Sequence, residues 1–351
     1  MDRHDPHSQN QDGPSPPAVG HAATVAPGIL WVRMPLPFAL NHINIWLLED
    51  DAGWTVVDTG IGSNRTRDHW EQVFASSLGG KPVVRVVATH FHPDHVGLAS
   101  WLVERWDAEF CSSLTEWLLG RALSQENPEA MVRTGLAFYR RAGLDDASLA
   151  ILAERGNAYA RGVESLPPVL RRLRDGDGIT IGGNQWRVMI GGGHSPEHVC
   201  LYSASAGILI AGDQVLPRIS PNISVWPAEP EADPLSDFLA ALERLRAVPD
   251  DTLILPSHDT PFRGLHARLD GLAAHHEERL SETLDACETP RSVAEVTRIM
   301  FRRELDAHQL VFAVGEALAH LNHLLHRGLL TRTADADGAL LFRKAADRAA
   351  G

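Results

Sequence analysis

The chain has 351 residues, 44% of them hydrophobic and 22% charged, a length and balance that suit one large globular domain or two of unequal size and exclude a fibrous or wholly disordered chain. With 45 Asp and Glu against 32 Lys and Arg the formal net charge is −13, which repels a phosphate backbone and argues against nucleic acid as the main partner. The three cysteines, Cys111, Cys200 and Cys287, are odd in number and follow no C-x-x-C spacing, which argues against a disulfide framework and a thiolate zinc knuckle.

Residues 1–25 are rich in Pro, Gly, Ser, Gln and Asp and read as a flexible tail with solvated His4, His7 and His21. They contain no apolar run of signal-peptide or membrane-spanning length, so a cytoplasmic location without membrane contact is expected. Short apolar runs follow from Gly28 to Asp58 (GILWVRM, INIWLLED, GWTVVDTG), and they predict a meander of strands with a turn at Asp51-Ala52-Gly53. A helix is predicted over 63–78, with Ser63 or Asn64 as N-cap. The β-branched run PVVRVVATH predicts a buried strand, and a second helix is expected at 98–106.

From Ser112 to Arg174 the helical spacing of Leu, Ala, Arg and Glu predicts two to four helices, read as an insertion over the site. Strand patterns return at GITIGG, QWRVMIGGG, VCLYSA and GILIAGD. A Pro-rich loop at 216–234, an amphipathic helix at 235–247 and the strand TLILPSH come next. After Phe262 the order is helix (265–286), helix, helix and hairpin, the outline of a winged-helix-like domain over 265–351. The excess of basic residues there is too weak to indicate DNA binding; packing or homodimerisation is the simpler use.

The segment His90-Phe91-His92-Pro93-Asp94-His95 places three histidines and a carboxylate directly after a buried strand. Side chains two apart on extended backbone point the same way, so His90 and His92 can grip one ion while Asp94 and His95 reach a second. An imidazole and carboxylate set without thiolates suits Zn²⁺, and also Fe or Mn, and leaves positions open for water. No Ser-His-Asp elbow, P-loop or G-x-G-x-x-G competes with it.

This His-x-His-x-Asp-His segment after a strand resembles the signature of the metallo-β-lactamase superfamily, and further family positions occur in order: His194 in GGGHSPEH, Asp213 in AGDQ and His258 in LPSHDTPF. The resemblance spans residues 26–264. It implies an α/β fold, an αββα sandwich with the site at one edge between two sheets. It also implies two divalent metal ions, zinc or alternatively iron or manganese. His90, His92 and His194 would hold the first, Asp94, His95 and His258 the second, and Asp213 would bridge them. Asp58 in VVDTG would orient a ligand histidine, and His198 is expected beside the site without binding metal.

Two departures from the common family pattern, Pro256-Ser257-His258-Asp259 in place of P-G-H-G and the long loop after Asp213, lie beside the substrate. The implied chemistry is hydrolysis of a small-molecule thioester or ester by a water shared between the metals, with Asp94 as the proton-transferring catalytic residue. It is similar to that of hydroxyacylglutathione hydrolases. An endoribonuclease or phosphodiesterase, a lactonase and a non-catalytic metal-binding regulator are the alternatives. Trp31, Phe38, Trp46, Phe138 and Trp226 are candidate pocket aromatics, with core packing as their simpler role.

Overall fold

Seven strands form the first sheet of the computed structural model, which describes residues 15–346. Strands β1 (Ala22–Ala26), β2 (Ile29–Pro35), β3 (His42–Asp50) and β4 (Gly53–Val57) pair antiparallel. Helix α1 (Asn64–Ser77) then crosses to β5 (Val83–Val87), and α2 (Pro93–Val96) with α3 (Ala99–Trp106) leads to β6 (Glu109–Ser112). Three insertion helices, α4 (Leu114–Gln125), α5 (Pro128–Arg141) and α6 (Asp146–Ala153), lead to β7 (Arg171–Arg172). From β4 to β7 the pairing is parallel. The Ser63 hydroxyl accepts from the Thr66 N–H and so caps α1 as expected.

The second sheet contains β8 (Gly178–Ile181), β9 (Asn184–Ile190), β10 (Val199–Ser203) and β11 (Ile208–Gly212), and after α7 (Pro234–Leu245) it gains β12 (Leu253–Pro256) beside β11. Alternation along the strands sorts side chains into two layers. Trp31, Trp46, Leu48, Val57 and Val87 meet Trp186, Val188, Leu201 and Ile210 between the sheets. Val32, Met34, Ile45, Leu47, Val56 and Val86 face the outer layer, where Trp70, Val73 and Leu102 of α1 and α3 cover them. Each large side chain so buried contributes roughly 1.5–3 kcal/mol. Helices α1 and α3 on one outer face and α7 on the other complete the αββα sandwich.

The C-terminal region comprises α8 (Leu265–Ala286), β13 (Arg291–Ser292), α9 (Val293–Met300), α10 (Ala307–His326), β14 (Leu330–Ala334) and β15 (Leu340–Lys344). Capping boxes at Ser292–Glu295 and Asp306–Gln309 start α9 and α10. The region shares one apolar core with the second sheet, α7 and the insertion helices: Phe138 and Leu149 pack with Phe238, Leu269, Val296 and Phe342. No helix among the described residues is long and apolar enough to cross a membrane.

Two expectations change. Residues 22–25, read as tail, belong to β1, because Ala22 to Ala26 pair their backbones with the β2 edge while their side chains stay partly exposed. The remainder of that tail from 1 to 14, with His4 and His7, lies outside the described residues. The insertion serves two purposes where one was expected: α4 meets the site loops, whereas α5 and α6 pack into the C-terminal core.

Candidate metal centre

Apolar strands deliver polar side chains to one edge of the sandwich. His90 follows β5, Asp58 follows β4, His194 follows β9, Asp213 follows β11 and His258 follows β12. Pro93 opens the single turn α2, which carries Asp94 and His95 out of the extended segment that holds His90 and His92.

The seven side chains His90, His92, Asp94, His95, His194, Asp213 and His258 fall into three overlapping groups, His90-His92-His194, His90-His95-Asp213 and Asp94-His95-His258, each with its ligand atoms within 4.8 Å of one another. His90 Nε2 lies 2.9 Å from His92 Nδ1 and 3.2 Å from His194 Nε2. Tetrahedral zinc with nitrogens at ~2.0–2.1 Å would set such atoms about 3.3 Å apart. Asp213 faces both ways, with Oδ2 3.4 Å from His194 Nε2 and Oδ1 3.6 Å from His95 Nε2 and 3.4 Å from His258 Nε2. Asp94 Oδ2 sits 3.6 Å from His95 Nε2 and 3.5 Å from His258 Nε2.

Outer hydrogen bonds aim these rings. His95 Nδ1–H donates to Asp58 Oδ2 at 2.8 Å, and the Thr89 N–H and hydroxyl also donate to that carboxylate. His90 Nδ1–H donates to the Thr89 hydroxyl at 3.0 Å, His194 Nδ1–H to the Asn222 carbonyl at 2.8 Å, and His258 Nδ1–H to the His42 carbonyl at 2.8 Å. Four rings therefore point Nε2 inward. Asp58 is buried and takes a left-handed φ of 64°, which Asp tolerates.

Buried atoms with no hydrogen-bond partner include His95 Nε2, His92 Nε2 and Asp213 Oδ1. Orphaned buried polar atoms are costly unless something satisfies them. A cation would do so for His95 Nε2 and Asp213 Oδ1, and the imidazole and carboxylate donors fit a divalent metal.

Electrostatics agree. Burial, and then the neighbouring histidines, hold His90 and His92 well below the usual histidine range, so both present neutral rings. Burial also disfavours charge on His95 and His258, but nearby carboxylates outweigh it, Asp94, Asp58 and Asp213 for the first and chiefly Asp213 for the second, and both are raised. Burial likewise opposes charge on Asp213, yet His258 and His95 outweigh it and hold Asp213 well below the carboxylate range. Protons thus occupy the carboxylate side of the cluster, and an entering cation displaces them.

His198 enters none of the three groups. Its Nε2 accepts from the Asp213 N–H at 3.1 Å, its ring stacks 4.8 Å from that of His90, and burial pushes its pKa down to about 3. Gly212 makes this possible: at φ 55° a Cβ would strike the His198 ring. Gly212→Ala is expected to lower the melting temperature and weaken metal binding together, measured by calorimetry and metal titration. Unchanged metal affinity would separate Gly212 from the site.

Several contributors carry no motif. The Glu116 carboxylate on α4 accepts the Phe91 N–H at 3.0 Å and the Glu197 N–H at 2.7 Å, and so joins the two histidine loops. The Tyr159 hydroxyl donates to the Phe91 carbonyl at 2.6 Å. His42 Nε2 accepts from the Asp259 N–H, and Asn44 Nδ2 donates to the Pro256 and Asp259 carbonyls, which fixes the segment in the P-S-H-D departure. Only the polar Asn44 inside an apolar strand was a readable signal. Of the aromatics considered for the pocket, Trp31 and Trp46 stack on each other between the sheets and Phe138 joins the C-terminal core. Phe38 is exposed and stacks on His308, and Trp226 meets Phe312.

Residues 39–258 match the family model described as the metallo-beta-lactamase superfamily. The chain belongs to this superfamily. Residues 280–345 match a second model, the metallo-beta-lactamase-like C-terminal domain. The crystal structure of a beta-lactamase domain protein from Burkholderia ambifaria superposes with a TM-score of 0.89 at 48% identity, covering 95% of this chain and 97% of that one. A probable metallo-hydrolase of Bacillus subtilis, YqjP, is 23% identical over 84% of this chain and 92% of that protein. The human acyl-coenzyme A thioesterase MBLAC2 is 28% identical over 67% of this chain and 79% of that protein. The family and the His/Asp cluster together indicate a metal-binding hydrolase.

Proposed function

We propose that the chain is a binuclear hydrolase that cleaves a small-molecule thioester or ester, with zinc as the metal. His90, His92 and His194 would hold one ion and Asp94, His95 and His258 the other, with Asp213 facing both groups. The observation that carries the reading is Asp213, whose two oxygens face different histidine groups while Oδ1 has no hydrogen-bond partner. Similarity to acyl-coenzyme A thioesterases supports acyl chemistry. The net charge of −13 counts against a polyanionic nucleic-acid substrate.

Bound there, divalent ions would supply an acidified water and polarise an acyl carbonyl. The protein's own groups do the rest. Asp94 is the most exposed of the cluster's charged groups, with 20% of its side chain accessible. It accepts a proton from the attacking water and returns it to the departing thiolate or alkoxide. Asp58 holds His95, and Glu116 holds both histidine loops, so the cluster need not rearrange during turnover. The C-terminal helices followed by the β14–β15 hairpin support a winged-helix-like reading used for packing.

The test is a turnover screen of zinc-loaded protein against acyl-coenzyme A and acyl-glutathione thioesters, aryl esters, lactones and phosphodiesters. Thioester or ester hydrolysis is expected. Turnover of phosphodiesters alone would refute the acyl reading.

A further inference from the structure

Of the histidines in the cluster, His194 is held from outside the sandwich. Its Nδ1–H donates to the Asn222 carbonyl in the Pro-rich loop. The side chain of the same Asn222 donates from Nδ2 to Glu316 Oε2 on α10 at 3.1 Å, and its Oδ1 accepts from the Ser224 hydroxyl at 2.5 Å. Two further contacts press the loop onto α10: the Val225 N–H donates to the Gly315 carbonyl at 3.1 Å, and Ser224 Oγ lies 3.3 Å from the Phe312 carbonyl. Gly315 permits this approach, since a Cβ there would strike the Ser224 side chain.

The loop is tied again two residues earlier. The Ser220 hydroxyl lies 3.2 Å from His276 Nε2 on α8, and His276 Nδ1 lies 3.3 Å from His320 Nε2 on α10. His320 Nδ1–H in turn donates to the carbonyl of Glu316 at 2.8 Å. This buried chain of polar groups is costly in an apolar core unless fully satisfied. Burial pushes the Glu316 carboxyl up to about 7 and His276 down to about 3.

We infer that Glu316 is a positioning residue for the metal centre: by gripping the Asn222 side chain it fixes the carbonyl that orients His194, which makes the C-terminal domain a working part of the site. The inference rests on the two-metal reading above. Loss of the Glu316 oxygen frees Asn222 to rotate, His194 loses its fixed tautomer and direction, and the ion on the His90-His92-His194 side is held less tightly.

The experiment titrates metal-free full-length protein with Zn²⁺ against a chromophoric chelator for wild type, Glu316→Gln, Glu316→Leu and Asn222→Ala, with thermal unfolding run alongside. Glu316→Leu is expected to bind one of its two zinc ions about 10–100-fold less tightly than wild type, as for other outer partners of metal ligands. Glu316→Gln keeps an acceptor oxygen and stays near wild type. If Glu316→Leu does not fold, Asn222→Ala removes the same contact from the loop and is expected to show the same loss. A folded Glu316→Leu or Asn222→Ala with wild-type zinc affinity would overturn the inference. So would Gln and Leu variants equally weakened, because packing alone would then explain both. A wild type that binds no zinc would instead overturn the metal reading, and this inference with it.

Discussion

Asp94→Asn is expected to retain zinc close to the wild-type content while kcat for a thioester falls by about 10²–10⁴-fold, the range for losing a positioned proton-transfer group. The amide keeps an oxygen for the metal side but cannot accept the proton of the attacking water. Asp94 Oδ2 lies between His95 Nε2 and His258 Nε2 at 3.6 and 3.5 Å, so the carboxylate is both near the cluster and partly open to substrate. Asp94→Ala removes the oxygen as well and should lose metal in addition. Equal kcat in wild type and the Asn variant, measured at matched zinc content, would remove Asp94 from proton transfer.

The second large effect concerns Glu116, buried with both oxygens accepting backbone N–H groups from the two histidine loops. In Glu116→Gln an amide NH₂ must face one of those N–H donors, which costs about 1–3 kcal/mol for an unsatisfied buried group. The pH dependence separates this from packing. Burial raises the Glu116 pKa to about 7 although its backbone donors oppose the shift. A carboxyl whose folded pKa exceeds its unfolded value stabilises the fold fully below about 4.5, and that contribution is lost as pH rises through about 7. A shift of this size corresponds to roughly 3 kcal/mol. Denaturant unfolding at pH 5.5 and 8, in the same metal state, should show wild type ahead of Glu116→Gln at the lower pH and the gap closing at the higher. Parallel pH curves would contradict the assignment.

The parts of the fold set by local chemistry were readable in the sequence. Helix α8 occupies residues 265–286 as the helical pattern required, and α1 begins at the Ser63 cap. The strands β2 to β5 and β10 to β12 follow apolar runs that are buried along most of their length, whereas β8 and β9 alternate, with Ile179, Ile181, Trp186 and Val188 inward and the other face open. Two strands were too short to read: β7 and β13 have two residues each, too few for a period, and exist through pairing with a neighbour. The edge strand β1 was hidden by a composition that suits a tail equally well.

The site divides in the same way. His90 to His95 are adjacent in the chain, and His194, Asp213 and His258 each end an apolar strand, so pattern and family resemblance sufficed to name them. The supporting residues act across long separations. Glu116 reaches Glu197 over 81 positions, Asn222 reaches Glu316 over 94, and His258 reaches the His42 carbonyl over 216. A lone Glu on an amphipathic helix carries no sign of such a partner, because its role comes from the packing of α4 and α10 against the sandwich.

Metal content tests the central claim most directly. Protein reconstituted with zinc, freed of excess by gel filtration and analysed by mass spectrometry of the elements, is expected to carry about two ions per chain. Asp213→Ala should carry fewer, because Asp213 faces both histidine groups. No retained metal in the wild type after reconstitution with zinc, iron or manganese, or two ions held equally well without Asp213, would contradict a binuclear centre at this sheet edge.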